Sequence, residues 1–341
     1  MPSVILINPR PVNAVHNVSR VVYKKSNYLS IYGANFVFRQ YIILVRLPNV
    51  FTAASNILPA YFTVITDATF SFLNINILYL AGLMASSSLL YLAGIVFNDY
   101  FDIEIDKKER PSRPLPSGKI TKRKALIIAI SSIIAANVLA LLINLTSFIV
   151  AVILTTIVIA YDYRLKHNSI TGPITMGLAR FVNMILGASP ALPTLLLSTA
   201  SSKVLLFIAT SMFLYVVAIG ILSKQEVSGK ATNLVIICSL SIVLIDIASI
   251  AIAGLMGIFQ YAVFANLTLF SIVMVIIFRP ILRRLDSLAP IHIQNIIKNM
   301  IISIIILDSV FVSGIIGLPY GFATLLLIIP PVMLARKYYL T

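Results

Sequence analysis

The sequence predicts an all-α, polytopic membrane protein. Apolar stretches recur at spanning length, charged residues are scarce, and the cations collect on alternate connections. Of 341 residues, 59% are hydrophobic and 11% charged, against roughly a quarter charged in an ordinary soluble domain. A span takes about 20 mostly apolar residues. Such stretches lie at about 41–65, 73–97, 124–144, 147–162, 171–198, 203–222, 233–256, 259–278, 293–315 and 319–335. They give ten predicted helices, or nine if the short last stretch does not cross.

Ahead of the first span, residues 1–39 form a basic segment with Arg10, Arg20, Lys24, Lys25 and Arg39, followed by a membrane domain over 40–341. The segment lacks the charged start, apolar core and cleavage site of a signal peptide, so the first span is expected to direct insertion. The connection after the second helix carries Lys107, Lys108, Arg110, Arg113, Lys119, Lys122, Arg123 and Lys124. Smaller clusters follow the fourth (Arg164, Lys166), sixth (Lys224, Lys230), eighth (Arg279, Arg283, Arg284) and tenth (Arg336, Lys337) helices. Together with the N-terminal segment they hold 22 of the 26 basic residues, whereas the opposite connections hold only Lys203. The positive-inside rule then predicts a multi-pass cell-membrane protein with its N-terminus, and its C-terminus if ten helices cross, in the cytoplasm. Topology accounts for the net charge of +15, and no nucleic-acid partner is expected. The one cysteine, Cys238, excludes an intrachain disulfide.

The pattern ArgxxAsn opens the first helix as Arg46 with Asn49 and the fifth as Arg180 with Asn183. Each pair precedes a polar cluster by one further helix. Two pseudo-repeated four-helix halves would place both clusters at the mouth of one cavity, and repeats of this kind often bind ligands at their interface. Arg180 and Asn183 lie within a span, where a charge costs about 3 kcal/mol on insertion scales, so they are expected to face a cavity or a partner. Asp246, Lys298 and Asp308 are also intramembrane, and interhelical pairing is expected of them.

The second helix ends in NDYFDIEIDKKERPSRPLPSGKI, which sets Asn98, Asp99, Asp102 and Asp106 one, three and four apart. At about 100° per residue they share a helical face. Carboxylates so placed at a membrane edge repel one another unless a cation sits among them. Mg²⁺ suits them, because it takes a carboxylate or two and leaves its other positions to water and phosphate. A solvated helix end neutralised by Lys107, Lys108 and Arg110 is the simpler reading. Against it stands the Pro- and Gly-rich stretch that follows, a rigid turn carrying Arg113 and Lys119.

From Asn98 to Gly118 the chain resembles the UbiA superfamily of intramembrane prenyltransferases, whose first aspartate-rich motif is NDxxDxxxD followed by an arginine-rich turn. The resemblance implies a helical bundle around a central cavity. It also implies a prenyl diphosphate held by Mg²⁺ on Asn98, Asp99, Asp102 and Asp106, and a lipophilic or aromatic acceptor that captures the prenyl group. YDYRLKH after the fourth helix is similar to the family's tyrosine and lysine motif: Tyr161 matches in place and Lys166 sits one residue late. Arg164 and Lys166 would stabilise charge on the leaving diphosphate. Asn49, Arg180 and Asn183 would line the cavity near it, and Gly177 and Gly187 would let helices approach closely.

The second polar cluster departs from the family. Where two aspartates stand four apart, this chain reads ILSKQEVSGKAT, with Ile221 and Gln225 in the acidic positions. The pattern resembles a divergent UbiA branch carrying SKxEVxG. A second metal would lack the family's carboxylate ligands there, and Lys224 would serve as a fixed positive charge against the diphosphate. The Phe and Tyr content suits either an aromatic pocket wall or lipid-facing belts.

Two functions follow. One is Mg²⁺-dependent prenyl transfer from a diphosphate donor to a lipophilic or aromatic acceptor in the bilayer, by an enzyme with Asp102, Lys166 and Arg164 at the reacting centre and Arg113, Lys119 and Tyr161 on the diphosphate. The other is an isoprenoid or lipid carrier that kept the fold and lost catalysis. A cytidine-linked alcohol phosphotransferase would need a DGxxAR motif, and the chain has no Asp-Gly pair.

Overall fold

A computed structural model describes residues 38–66, 76–195, 199–228, 233–283 and 290–338. The expected N-terminal segment, residues 1–37 of it, lies outside the described residues. The regular elements among them are helical: α1 (Phe38–Leu44), α2 (Leu47–Ser55), α3 (Ile57–Ile65), α4 (Ile77–Phe101), α5 (Ile103–Glu109), α6 (Lys122–Ile143), α7 (Leu145–Tyr163), α8 (Thr171–Ala188), α9 (Leu192–Leu195), α10 (Thr199–Ser228), α11 (Asn233–Leu255), α12 (Val263–Arg283), α13 (Pro290–Ile316), α14 (Leu318–Leu325) and α15 (Ile329–Tyr338). Single 3₁₀ turns sit at Leu165–His167, Ser189–Ala191 and Leu326–Ile328.

Among the described residues seven helices are long and apolar enough to cross a membrane, namely α4, α6, α7, α10, α11, α12 and α13. The pair formed by α1 with Leu47–Ile65, bent by 47°, makes an eighth if read as one span. This is a multi-pass membrane architecture. Only 22% of the apolar window of α6 and 28% of that of α11 is buried, against 83% for α13. The first two are therefore outer helices facing lipid, with residues such as Ile134, Leu142, Leu234 and Ile245 exposed, and α13 is central.

Proline decides where three predicted spans break. Pro48 has no N–H to give Leu44 and its ring crowds that carbonyl, so the first span bends, with Arg46 in the left-handed region at φ 43°, ψ 50°. The predicted helix over 171–198 stops at Ala188 and passes into a 3₁₀ turn that includes Pro190. The last predicted span is divided by the turn at Leu326–Ile328, after which Pro330 and Pro331 sit in the first turn of α15, where proline is tolerated.

Two large apolar clusters form the interior. One joins α3, α4, α6 and α7 through residues such as Ile57, Leu83, Leu90, Ala136 and Leu154. The other joins α8 and α10 to α13 through Met184, Met212, Tyr215, Phe270, Met300 and Phe311. Helix α8 packs against α3, α7 and α10 and so stands between the clusters. Glycine permits that closeness: a Cβ on Gly187 would lie 2.5 Å from the Ile57 carbonyl oxygen on α3, and one on Gly177 2.7 Å from Val217 on α10. The expected small-residue contacts of α8 are thus present.

Candidate active site

The acidic motif sits where α4 gives way to α5. The helical ladder survives the break, since the Asp102 N–H donates to Asn98 O at 3.1 Å and the Asp106 N–H to Asp102 O at 2.8 Å. The four predicted residues therefore keep a common side but fall into two rows, Asp99 with Asp106 seven apart and Asn98 with Asp102 four apart. Each row meets a different cation.

Asp99 and Asp106, 3% and 2% exposed, are bridged by Arg113, whose Nη1 lies 2.7 Å from Asp106 Oδ2 and 3.4 Å from Asp99 Oδ1. Arg113 is delivered by the rigid turn expected after α5. Its own N–H donates to Arg110 O, Ser117 N–H donates to Arg113 O, and Gly118 takes φ +72°. Leu115 and Ile120 anchor the turn in a small cluster with Leu44, Val96, Phe97 and Ile103. Arg46 reaches the same row from the α1–α2 bend, donating to Asp99 Oδ1 at 2.7 Å.

The second row meets Lys166, carried on the Leu165–His167 turn after α7. Its ammonium is 2.8 Å from Asp102 Oδ1 and donates to Asn98 Oδ1 at 3.1 Å. Lys224, near the end of α10, donates to the backbone carbonyl of Lys166, which brings the second polar cluster to the first. The side chains of Gln225 and Glu226 lie outside the described residues. Glu104 points away. Lys107 donates to it at 3.0 Å, and that hydrogen bond holds its exposed carboxyl below the usual range.

Next to this charged group lies a cavity of about 250 Å³. Its polar end includes Arg46, Asn49, Asn98, Tyr161 and Asp162, and its apolar wall Leu90, Leu154, Val158 and Val216. Arg180 and Asn183 line it from α8. Arg180 donates to Thr52 O and Thr52 Oγ1, each at 2.9 Å, and stands 4.8 Å over the Tyr91 ring, a stacking worth about 2 kcal/mol when desolvated. Asn183 accepts from Ser87 Oγ at 2.7 Å and donates to Ala53 O at 3.1 Å. Behind Arg180, Asp308 on α13 accepts from Ser55 Oγ at 2.6 Å and Asn56 Nδ2 at 2.8 Å. It makes the interhelical pairing expected of it.

Of the residues singled out in the sequence, Asn49, Asn98, Tyr161, Arg180 and Asn183 line the cavity, and Asp99, Asp102, Asp106, Arg113, Lys166 and Lys224 connect to it through Arg46 and Asn98. Lys119 and Arg164 are exposed and absent from its wall. Sequence reading missed Arg46, Tyr91 and Asp162 as site residues. The repeated ArgxxAsn pattern already flagged Arg46, and Asp162 stands beside Tyr161, but nothing in the sequence marks Tyr91. The wall carries two aromatic rings among the described residues, Tyr91 and Tyr161, so the richness in Phe is spent elsewhere.

Asp99, Asp102 and Asp106 offer hard carboxylate oxygens of the kind that suits Mg²⁺, each paired with a cation of the protein itself. No three His, Cys, Asp or Glu side chains among the described residues converge into a cage.

A profile of the UbiA prenyltransferase family matches residues 56–289. The chain belongs to the UbiA prenyltransferase family. It is 38% identical over 112 residues to digeranylgeranylglyceryl phosphate synthase of Methanothrix thermoacetophila, covering 32% of this chain and 42% of that protein. To the protein of the same name from Sulfurisphaera tokodaii it is 30% identical over 149 residues, covering 44% and 51%. The chain thus spans about half, or less, of the length of these curated relatives. A solved UbiA homologue from Archaeoglobus fulgidus, bound to GPP and Mg²⁺, superposes with a TM-score of 0.58 over 84% of this chain and 99% of that one at 16% identity, which shows the shared fold. Arg46 and Asn49 precede the family match and Asp308 follows it.

Proposed function

We propose that the protein is a Mg²⁺-dependent prenyltransferase that moves a prenyl group from its diphosphate to a lipophilic or aromatic acceptor within the membrane. The observation that carries this reading is the buried cluster of carboxylates and cations at the polar end of an otherwise apolar cavity. An amphipathic donor with a polyanionic head and a hydrocarbon tail matches both ends.

In this reading Asn98, Asp99, Asp102 and Asp106 would hold the metal. Bound there, Mg²⁺ supplies Lewis-acid neutralisation of charge on the departing diphosphate. Arg113 and Lys166, which here pair with the carboxylates, would stabilise the charge of the diphosphate, and Lys224 would add a third cation where the family's second acidic pair would stand. Placing fixed positive charge where negative charge develops lowers the ionisation barrier. Asn49, Tyr161, Arg180 and Asn183 orient the head group from the wall. Lys119 and Arg164 join the set by sequence position alone.

We further read the bundle as nine or ten spans in two pseudo-repeated halves, a reading supported by the two apolar clusters meeting at α8. The clustering of cations on one set of connections supports a cytoplasmic N-terminus, with residues 1–39 as a basic cytoplasmic segment and the cavity mouth where soluble diphosphates and Mg²⁺ are available. Mass spectrometry of lipids and aromatic metabolites from cells with and without the protein tests the function. A prenylated product confined to the first supports it, and identical profiles count against it. The missing acidic pair at Ile221 and Gln225 favours a second reading, a carrier that binds the donor and returns it intact.

A further inference from the structure

The outer face of the α11–α12 pair lies apart from the cavity, and none of the residues lining its groove lines the cavity. The two helices touch near their turn, where a Cβ on Gly254 would stand 2.9 Å from the side chains of Val263 and Phe264. Beyond that contact Ile247 and Ala251 on α11 and a stripe of α12 line a groove of about 460 Å³. Its hydroxyls are already satisfied within α12: Thr268 Oγ1 donates to Phe264 O at 2.7 Å and Ser271 Oγ to Leu267 O at 2.8 Å. What the groove leaves open is hydrocarbon, with Ile272, Val275 and Ile276 each more than half exposed. The apolar window of α12 is only 39% buried, so this face meets the bilayer and a lipid tail suits it.

Charge sets the head group. The α12 side of the groove steps through Phe264, Thr268, Ser271 and Val275, and the next step on the same helical face is Arg279. Arg279 is exposed and has no hydrogen-bond or ion-pair partner among the described residues. From Phe264 to Ile276 the groove runs about 18 Å at about 1.5 Å per residue, against about 15 Å for one leaflet's share of the hydrocarbon core. A single tail therefore fits along it with the head group level with Arg279. We infer that the α11–α12 groove is a binding site for one anionic phospholipid, its tail against Ala251 and Val275 and its phosphate on the Arg279 guanidinium. A planar guanidinium presents parallel donors to phosphate, and an anionic head group brings no cation of its own to oppose it.

The chain has no tryptophan, so one introduced at the groove reports on that place alone. The full chain carrying Ile276→Trp is put into nanodiscs of phosphatidylcholine with a minority of phosphatidylglycerol, the tails of one lipid or the other being brominated to quench the tryptophan. Ile272→Trp is a second probe of the groove. Ile245→Trp is the control, because Ile245 is exposed and two residues from Ile247, on the opposite face of α11. Quenching by phosphatidylglycerol relative to phosphatidylcholine, corrected for their proportions, is expected to be about fivefold higher at 276 and 272 than at 245, the effect of one cation on an anionic lipid. Arg279→Gln is expected to bring the ratio at both groove positions down to that of the control. Equal ratios at all three positions overturn the inference, and so does a preference that survives Arg279→Gln. Absence of quenching by either lipid at 276 and 272 marks a protein segment over the groove, such as a helix of a second copy, and overturns it as well.

Discussion

At the residue scale the site is a set of carboxylates held by the protein's own cations, Asp99 and Asp106 on Arg113 and Arg46, Asp102 on Lys166. Removing one partner of a buried pair leaves a charge with nothing to neutralise it. Arg113 is 23% exposed while its carboxylates are nearly covered, so Arg113→Ala is expected to destabilise the detergent-solubilised protein by about 2 kcal/mol, between the values for exposed and for fully buried pairs. Thermal unfolding checks this, and saturating Mg²⁺ is expected to recover part of the loss by filling the vacated carboxylates. Lys166→Ala is expected to lower the rate of diphosphate release by about 100-fold, the scale of one lost electrostatic donor, with donor affinity falling less. Most of this grouping was legible in the sequence, because Asn98 to Arg113 is local and its spacing is helical. Arg46 was not read as part of it, since its partner Asp99 is 53 residues away and no periodicity links the two. Asp162 was hidden for a different reason: one acid beside a recognised tyrosine gives no pattern.

At the element scale the site depends on where helices stop. The bend at Pro48 turns Arg46 onto Asp99, and a non-glycine residue in the left-handed region carries strain of about 1–2 kcal/mol. Pro48→Ala restores an N–H able to continue the helix and is expected to draw Arg46 away. Donor affinity should drop about tenfold while thermal stability holds or rises, which binding and melting measured on one preparation will show. Gly187→Ala separates helix approach from charge. Its Cβ would meet the Ile57 carbonyl, and forcing α8 from α3 is expected to cost about 1–3 kcal/mol, read as a lower unfolding midpoint. The sequence located most of the helices, but not the end of α8 at Ala188 or the division of the last span, because apolar composition continues across both and is punctuated there by prolines, Pro190 with Pro193 and Pro330 with Pro331.

At the scale of the whole molecule, two apolar clusters meet at α8, α13 runs through the interior, and the cavity lies among α2, α4, α7, α8, α10 and α13 with its polar end at the α4–α5 break. The fold class was legible from composition because lipid leaves so few solutions to a chain this apolar. The cavity was not, since its volume and the tyrosines on its wall come from tertiary packing. Chelation should act on the same place: removal of Mg²⁺ is expected to abolish prenyl diphosphate binding while leaving the helical content unchanged, as measured by circular dichroism. The central claim is that this place ionises a prenyl diphosphate. Purified protein in nanodiscs, given a labelled prenyl diphosphate, Mg²⁺ and a membrane lipid extract as acceptor, tests it most directly. Release of inorganic diphosphate with the label moved into a new lipid-soluble product, lost in Asp102→Ala, is the result expected. Recovery of the labelled donor intact, bound but unreacted across the same Mg²⁺ range, would contradict it.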